Sequence, residues 1–289
     1  MAKQRLDVVL VEQGLCDSRQ QAQRIIRAGE VQVNQQVVDK PGTLVDVEAV
    51  LKVKQRSPYV SRGGEKLAHA LATFPIQVAG RICLDGGIST GGFTDCLLQA
   101  GAARVYGVDV GYGQVAWKLR QDPRLILRER TNLRHLTPEM LYDEAAQRPD
   151  LGVMDVSFIS LRKVMPAFWA LLVPPREAVL LVKPQFEVGK EKVGKHGVVR
   201  SPHDQAEAIW QVVVAARAQG WCDRGLTASP AVGPAGNIEY LLWLAMPSTP
   251  PNPLFGDTPE TVSADALTLE SITQLTETSC AQLRQRDRG

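Results

Sequence analysis

The sequence predicts an α/β fold in which a mostly parallel, doubly wound sheet follows a small α+β domain. Short apolar runs alternate with helical patterns from Arg81 onward, which is typical of βαβ units. A helix, helix and hairpin pattern occupies about the first 60 residues. With 289 residues the chain exceeds the roughly 250 beyond which single cores divide, so two domains are expected.

The smaller domain is predicted to begin with two short helices. Apolar spacing over residues 5–14 indicates the first helix, which ends at Gly14. Ser18 is expected to cap the second helix, with Gln21 completing a capping box and Gly29 ending the helix. A hairpin with its turn at Asn34-Gln35 is expected to follow.

The second helix has one apolar and one polar face. Counting about 100° per residue places Ala22, Ile25 and Ile26 on the buried side. The opposite side carries Gln20, Gln23, Arg24 and Arg27. The arginines can meet a phosphate backbone, although a solvated helix surface is the favoured interpretation of that face taken alone.

The first 60 residues resemble the small RNA-binding domain first seen in ribosomal protein S four. The resemblance lies in Arg5-Leu6-Asp7, in SRQQAQRII over residues 18–26 and in GEVQVN over residues 29–34. A basic run in the presumed linker follows, formed by Lys52, Lys54, Arg56, Arg62 and Lys66. Together these features imply that the domain binds RNA. The predicted RNA-binding residues are Arg5, Arg19, Arg24, Arg27 and Arg62.

The larger domain is predicted to place its functional residues at the carboxyl ends of parallel strands, where ligands bind on such sheets. The apolar runs are 82–84, 105–108, 125–127, 151–154 and 179–182, and two more, around 221–228 and 238–246, would finish the sheet. Residues 247–260 are rich in proline and threonine and are expected to form a loose linker before a short helix or a disordered end. The predicted domains are 1–60, 61–246 and a partly disordered tail, 247–289.

Composition bears on the class of protein. The net charge of +2 is too small to indicate nucleic acid by itself. The five cysteines form no CxxC pair and the four histidines show no ligand spacing, so free thiols and no metal site are expected. The first residues lack the apolar core of a secretion signal, and no stretch approaches the roughly 18 apolar residues of a membrane span. A cytoplasmic protein without a membrane partner is therefore expected, and its oligomeric state is not predicted.

A glycine-rich turn follows the first parallel strand and predicts a cofactor site. The segment from Gly87 to Thr94 matches a Walker A loop except that Phe93 replaces the phosphate-binding lysine, and the G-x-G-x-x-G dinucleotide fingerprint is absent in register. What remains is Asp85 at the end of one strand, a glycine turn, and Asp109 at the end of the next strand. Asp109 can accept hydrogen bonds from ribose hydroxyls. Each residue alone is typical of a turn, but together they favour S-adenosylmethionine. The predicted cofactor-binding residues are Asp85, Gly87, Ser89, Thr90, Gly91, Gly92, Phe93 and Asp109.

Ordered motifs over residues 1–246 resemble the TlyA family of ribosomal RNA methyltransferases, whose catalytic domain is of the FtsJ type. The match runs through SRGGEKL at 61–67, LDGGISTGGFTD at 84–95, GVDVGYGQ at 107–114, DVSFIS at 155–160, KPQFE at 183–187 and GNIEY at 236–240. The resemblance implies a Rossmann-like class I methyltransferase sheet beside an S4-like domain. It also implies a catalytic tetrad of Lys66, Asp155, Lys183 and Glu239.

The chemistry of such an enzyme explains these residue types. A ribose 2′-hydroxyl is a poor nucleophile until its proton is held or removed, and a lysine can serve as general base when desolvation or a second cation favours its neutral form. Lys183 directly follows an apolar strand, with Lys66 expected nearby, so it is the expected base. Asp155 and Glu239 are expected to orient the lysines.

The resulting expectation is a 2′-O-methyltransferase that acts on ribosomal RNA within ribosomal subunits, at a cytidine of the small subunit. Because the S4-like domain is expected to be complete, a second target in the large subunit is expected as well. Two other classes stay open. A haemolysin or pore-forming protein, a label that this family often carries, is disfavoured by the lack of a signal or membrane span. A non-catalytic RNA-binding protein is disfavoured because all four tetrad positions and the glycine turn are retained.

Overall fold

The computed structural model describes residues 3–54, 57–246 and 266–286, and the chain divides into two compact units. The amino-terminal unit comprises residues 1–57 and the carboxyl-terminal unit residues 58–289. Among the described residues, no helix is both long and apolar enough to cross a membrane.

The amino-terminal unit packs two helices against short antiparallel strands. Its elements are β1 (Lys3–Arg5), α1 (Leu6–Glu12), α2 (Arg19–Arg27), β2 (Val31–Val33), β3 (Gln36–Val37), β4 (Leu44–Asp46) and β5 (Leu51–Val53). The order β3-β2-β5 forms one sheet, and β1 pairs with β4. Leu6, Leu10 and Ile26 are fully buried in the core of this unit.

The local signals of this unit act as the sequence predicts, with small shifts. The Ser18 hydroxyl accepts a hydrogen bond from the Gln21 amide nitrogen at 3.3 Å, while the Gln21 side chain accepts one from the Asp17 amide instead of closing back on Ser18. The hairpin turn has positive φ at Asn34 and Gln35, as tight two-residue turns require. Helix α1 begins at Leu6, so Arg5 belongs to a strand.

The predicted basic linker was wrong. Lys52 lies on β5, inside the three-stranded sheet. Arg62 and Lys66 lie on a helix of the other unit. Arg56 falls outside the described residues. The basic residues are therefore divided between two folded units. The prediction failed because the spacing of charged residues does not show which segments form strands or helices.

The carboxyl-terminal unit is built on a seven-stranded sheet in the order β11-β12-β10-β9-β6-β7-β8. The strands β8, β7, β6, β9 and β10 are parallel to one another. Strand β12 is antiparallel to β10, and the edge strand β11 is antiparallel to β12. The strands are β6 (Ile82–Gly86), β7 (Arg104–Val108), β8 (Leu125–Arg128), β9 (Leu151–Met154), β10 (Glu177–Val182), β11 (Cys222–Ala228) and β12 (Tyr240–Ala245). The helices are α3 (Arg62–Thr73), α4 (Gly92–Gln99), α5 (Trp117–Arg120), α6 (Pro138–Leu141), α7 (Leu161–Leu171), α8 (Pro184–Glu187), α9 (Pro202–Ala218) and α10 (Leu269–Arg286).

Both faces of this sheet are covered, which confirms the doubly wound prediction. Val153 and Met154 are neighbours on β9 but belong to two different core clusters, because successive side chains of a strand point to opposite faces. One cluster includes Leu67 of α3, and the other includes Phe168 of α7. The carboxyl ends of β6, β7, β9 and β10 therefore share one open edge.

The tail differs from its prediction in the part that the structure describes. The expected linker over 247–260 lies outside the described residues. The expected short helix is the 18-residue α10, which places the fully buried Ile272 and the buried Cys280 in the same core cluster as α9. Polar residues such as Thr276 and Ser279 obscured this helix in the sequence, although both are buried too.

Candidate active site

A cavity of about 340 Å³ opens at the carboxyl ends of β6, β7, β8 and β9. That volume is within the range of small-molecule sites. Its wall is lined by Gly87, Ser89, Val108, Asp109, Val110, Gln114, Thr131, Asn132, Leu133, Arg134, Asp155, Val156, Ser157, Phe158, Ile159 and Val164. The cavity thus lies where the sequence placed a cofactor, and its polar groups come from four different strand ends.

The turn after β6 needs glycine for close approach. At Gly87, with φ of +87°, an added Cβ would lie 2.5 Å from the Asp155 carbonyl oxygen. At Gly91, with φ of +95°, an added Cβ would lie 2.3 Å from the Leu119 side chain. Other residue types would therefore push the turn away from β9 and α5. Phe93, at the Walker lysine position, is buried in the core, so the turn presents no cation there.

Asp109 holds two backbone segments of the cavity wall. Its Oδ2 accepts a hydrogen bond from the Ser89 amide at 2.8 Å, and its Oδ1 accepts one from the Gly111 amide at 2.7 Å. A carboxylate oxygen has more than one lone pair, so each can accept a second bond from a ligand hydroxyl. Asp109 therefore both shapes the cavity and offers an anionic surface to it.

Asp85 occupies a different place from the one expected of it. It is fully buried at the end of β6, does not line the cavity, and accepts a hydrogen bond from the Thr94 hydroxyl at 2.6 Å through Oδ2. Its Oδ1 has no hydrogen-bond partner among the described residues. Burial raises the pKa of Asp85 to about 7. With the Asp109 carboxylate at its wall and the Asp85 carboxyl group behind the glycine turn, the cavity suits a ligand without phosphate groups better than a phosphate.

The four predicted tetrad residues form two lysine–carboxylate pairs. Lys66, whose side chain is 10% exposed, donates to Oε2 of the buried Glu239. The ammonium of Lys183, also 10% exposed, lies 2.6 Å from Asp155 Oδ1. It donates a further hydrogen bond to the Ser157 hydroxyl at 2.7 Å. Neither lysine has the solvated surface position that a lone lysine usually occupies.

Strand register brings the two pairs together. Val182 of β10 is paired with Tyr240 of β12 in the antiparallel ladder. Lys183 directly follows the first of these residues and Glu239 directly precedes the second, so both lie at the same end of the paired strands. One member of each pair thus lies at this end of the sheet.

The segment that carries Asp155 is tied down at its far end. Glu187 is buried and accepts hydrogen bonds from the Ser160 hydroxyl at 2.6 Å and from the Leu161 amide at 2.7 Å. Between these anchors, Phe158 has a positive φ of 65° and a side chain that is 91% exposed. A bulky residue in that backbone region is strained, and such strain is often found at functional sites.

The structure distributes the predicted cofactor residues unevenly. Gly87, Ser89 and Asp109 line the cavity, whereas Asp85, Thr90, Gly91, Gly92 and Phe93 do not. Sequence reasoning missed Asn132 and Arg134, although they follow the parallel strand β8 and the strand-end rule could have found them. It also quoted the motif that contains Ser157 and Phe158 without assigning either a role.

The predicted RNA-binding residues fall into three groups. Arg24 and Arg27 are exposed on α2, opposite its buried side. Arg5 and Arg19 are also exposed but form ion pairs with the buried Asp7. Arg62 is exposed at the start of α3.

One group of possible metal ligands lies outside the active site. His203, Asp204 and Glu207 at the start of α9 place ligand atoms within 4.8 Å of one another, a proximity that the sequence analysis overlooked. The Lys192 ammonium contacts both carboxylates, so these acids already have a cationic partner.

Comparisons with known proteins agree with the geometry. Residues 59–246 match a family model described as FtsJ-like methyltransferase, and residues 4–51 match the S4 domain model. A relative from Bacillus subtilis, named as a candidate rRNA methyltransferase YqxC, is 50% identical over 246 residues, covering 85% of this chain and 86% of the relative. A 16S/23S rRNA (cytidine-2′-O)-methyltransferase TlyA from Mycobacterium tuberculosis is 50% identical over 242 residues, covering 83% and 89%. A solved structure from Streptococcus thermophilus, described as a candidate hemolysin, aligns over all of both chains with a TM-score of 0.72 and 40% identity.

Proposed function

This chain belongs to the FtsJ-like methyltransferases and, within them, to the TlyA family, and from that membership we propose that it methylates ribose 2′-hydroxyls of ribosomal RNA. The observation that carries the proposal is the Lys183–Asp155 pair. Asp155 lines the cavity while it holds the ammonium of a nearly buried lysine. The ammonium of this pair is largely buried while its carboxylate faces the cavity, and such a pair suits proton handling better than it suits stability, because largely buried ion pairs stabilise folds weakly.

We propose S-adenosylmethionine as the methyl donor. The cavity volume and the Asp109 carboxylate fit a ligand with a ribose and positive charge. When bound, this donor supplies an electrophilic methyl group on a sulfonium leaving group. Asp109 would hold the ribose hydroxyls, and the turn from Gly87 to Ser89 would pack against the ligand with its backbone.

The protein's own residues would prepare the hydroxyl. The Lys183 ammonium, which contacts Asp155 and Ser157, would hold the 2′-oxygen. As the oxygen forms its bond to carbon, the hydroxyl proton passes to the Lys183–Asp155 pair, which as an ammonium and a carboxylate can take up one proton. The Lys66–Glu239 pair lies at the same end of the sheet, since Glu239 directly precedes β12, and it would stabilise the charge that develops.

The exposed ring of Phe158 would help to place the nucleotide. It lies at the cavity wall and contacts Phe186, with ring centroids 5.3 Å apart. Proteins bind unpaired RNA bases by stacking them on such aromatic rings. A base held there would bring its own ribose toward the Lys183–Asp155 pair.

The substrate we propose is ribosomal RNA within ribosomal subunits, with cytidines of both subunits as targets. The S4 match and the exposed Arg24 and Arg27 support RNA binding. The M. tuberculosis relative is named for both 16S and 23S rRNA, which supports two targets. Since ribosomal subunits are the proposed substrate, we place the activity in the cytoplasm. We do not propose a pore-forming function, because the family match spans the unit that carries the paired tetrad.

The test is methyl transfer from labelled S-adenosylmethionine to purified subunits that lack these modifications. Labelled RNA should yield 2′-O-methylcytidine after complete digestion to nucleosides. Label on a base instead of a ribose would overturn the 2′-O assignment. Labelled RNA that forms without either ribosomal subunit would overturn the proposed substrate. So would the absence of labelled RNA with both subunits.

A further inference from the structure

Asp7 of the amino-terminal unit is a fully buried carboxylate surrounded by side-chain donors. Arg5 approaches it with two nitrogens, Nε at 2.9 Å from Oδ1 and Nη2 at 3.0 Å from Oδ2. Arg19 Nη2 lies 3.1 Å and Gln23 Nε2 lies 2.8 Å from Oδ2. Asp7 thereby links the end of β1 to helix α2.

The two arginines keep much of their binding capacity. A guanidinium carries five N–H donors, and Asp7 takes two from Arg5 and one from Arg19. The side chains are 48% and 56% exposed, so their remaining donors can reach solvent. Gly42 lies against the Arg5 guanidinium, where an added Cβ would come within 3.3 Å of Nη1. The Arg5 guanidinium is therefore contacted by Asp7 and by Gly42, and the rest of the group is open to solvent.

We infer that Asp7 is a positioning residue that presents Arg5 and Arg19 to RNA phosphates as a preorganised pair. This inference rests on the proposed RNA substrate. Long side chains lose rotamer freedom when they bind, and a pair that is fixed in advance loses less. The Arg5 guanidinium holds the pKa of Asp7 well below its usual range, so the carboxylate stays charged throughout the physiological range.

An effect of net charge and an effect of positioning predict opposite changes in RNA affinity for the substitution Asp7→Asn. With Asp7 the cluster of Asp7, Arg5 and Arg19 carries a net charge of +1, and with asparagine it carries +2. If the cluster attracts RNA by charge alone, Asp7→Asn tightens binding and steepens its dependence on salt. If Asp7 acts by holding the guanidinium groups, the same substitution weakens binding by about tenfold in spite of the added charge.

The experiment measures binding of the full chain to purified small ribosomal subunits across a range of salt concentrations. The variants are Asp7→Asn, Arg5→Lys and their combination, each checked for folding by circular dichroism and thermal unfolding. Arg5→Lys keeps the charge but loses the two-nitrogen fork, and Arg19 and Gln23 still donate to Asp7 in this variant. The expected result is similar weakening by each single variant and little further loss in the double variant, because both remove the same arrangement.

The outcomes separate this inference from the proposed function. Tighter binding by folded Asp7→Asn protein, or additive losses in the double variant, would overturn the positioning role and leave the RNA substrate in place. If Asp7→Asn does not fold, unchanged affinity of Arg5→Lys overturns the role by itself. Wild-type protein that fails to bind subunits at any salt concentration would overturn the proposed substrate instead.

Discussion

Replacing Lys183 by alanine is the sharpest test of the proposed chemistry. The substitution removes an ammonium that lies 2.6 Å from Asp155 Oδ1 and 2.7 Å from the Ser157 hydroxyl. Loss of a positioned proton-transfer group costs about a hundred- to ten-thousand-fold in rate, or about 2.7 to 5.4 kcal/mol of activation free energy. The fold should lose only about 1–3 kcal/mol, since the abandoned Asp155 carboxylate is 24% exposed and water can reach it.

The assay compares single-turnover methyl transfer to ribosomal subunits by the wild type, Lys183→Ala and Lys190→Ala. Lys190 is an exposed residue of the nearby loop and serves as a matched control, with turnover expected within about twofold of wild type. Lys183 does not line the cavity, so calorimetry should show nearly unchanged binding of S-adenosylmethionine. Near wild-type turnover by folded Lys183→Ala protein would refute lysine-assisted 2′-O chemistry and reopen methylation of a base.

Three further outcomes follow from the geometry. Asp109→Ala should weaken S-adenosylmethionine binding at least tenfold in calorimetry, because contacts to the ligand and the hydrogen bonds that shape the cavity wall are lost together. The control Asp143→Ala, at an exposed residue, should leave the affinity unchanged. Equal affinities of the two variants would show that Asp109 does not bind the ligand. Replacing both Arg24 and Arg27 by alanine should reduce the magnitude of the slope of log RNA affinity against log salt concentration by about 1.5. An unchanged slope would show that this helix face is solvated and does not contact RNA phosphates. Because burial raises the pKa of Asp85 to about 7, the folded state keeps a proton that the unfolded state releases above about pH 4. The stability from this group is thus present in acid and lost as pH rises from about 4 to about 7. Asp85→Asn should flatten that part of the profile in urea unfolding, and parallel profiles would contradict it.

The parallel sheet could be predicted because its strands are buried on both faces. Runs such as 151–154 and 179–182 are apolar throughout and are separated by helical patterns, and such runs have few other stable arrangements. Short strands at exposed edges gave no comparable signal. Strands β4 and β5 have only three residues each and mixed polarity, so the sequence analysis assigned Lys52 to a linker. Helix α10 was underestimated for a related reason, since its buried Thr276 and Ser279 look like surface residues.

Roles at the site were harder to predict than positions, because a strand-end residue can turn toward the ligand or away from it. Asp85 and Asp109 lie at different levels of neighbouring strands, because Asp85 is within β6 and pairs with Gly107, whereas Asp109 follows the last residue of β7. Asp109 lines the cavity, and Asp85 is sealed behind the glycine turn. The turn covers the end of β6, and Gly87 permits this because its backbone approaches the Asp155 carbonyl closely. In that position Asp85 holds the segment after the turn by accepting the Thr94 hydrogen bond, and it does not line the cavity.

The pairing within the tetrad depends on strand register, which the motifs do not encode. The sequence order Lys66, Asp155, Lys183, Glu239 is compatible with either lysine facing either acid. The ladder between β10 and β12 decides part of this, because its last pair is Val182 and Tyr240, which Lys183 directly follows and Glu239 directly precedes. The side chains then cross to other partners, Glu239 to Lys66 on α3 and Lys183 to Asp155 after β9. The pairs thus connect α3 and the end of β9 to the same end of β10 and β12. A one-residue shift in the register of β12 would separate the two pairs and turn Glu239 to the other face of the sheet. The antiparallel edge of the sheet is therefore part of the proposed catalytic apparatus and not only a cover for its core.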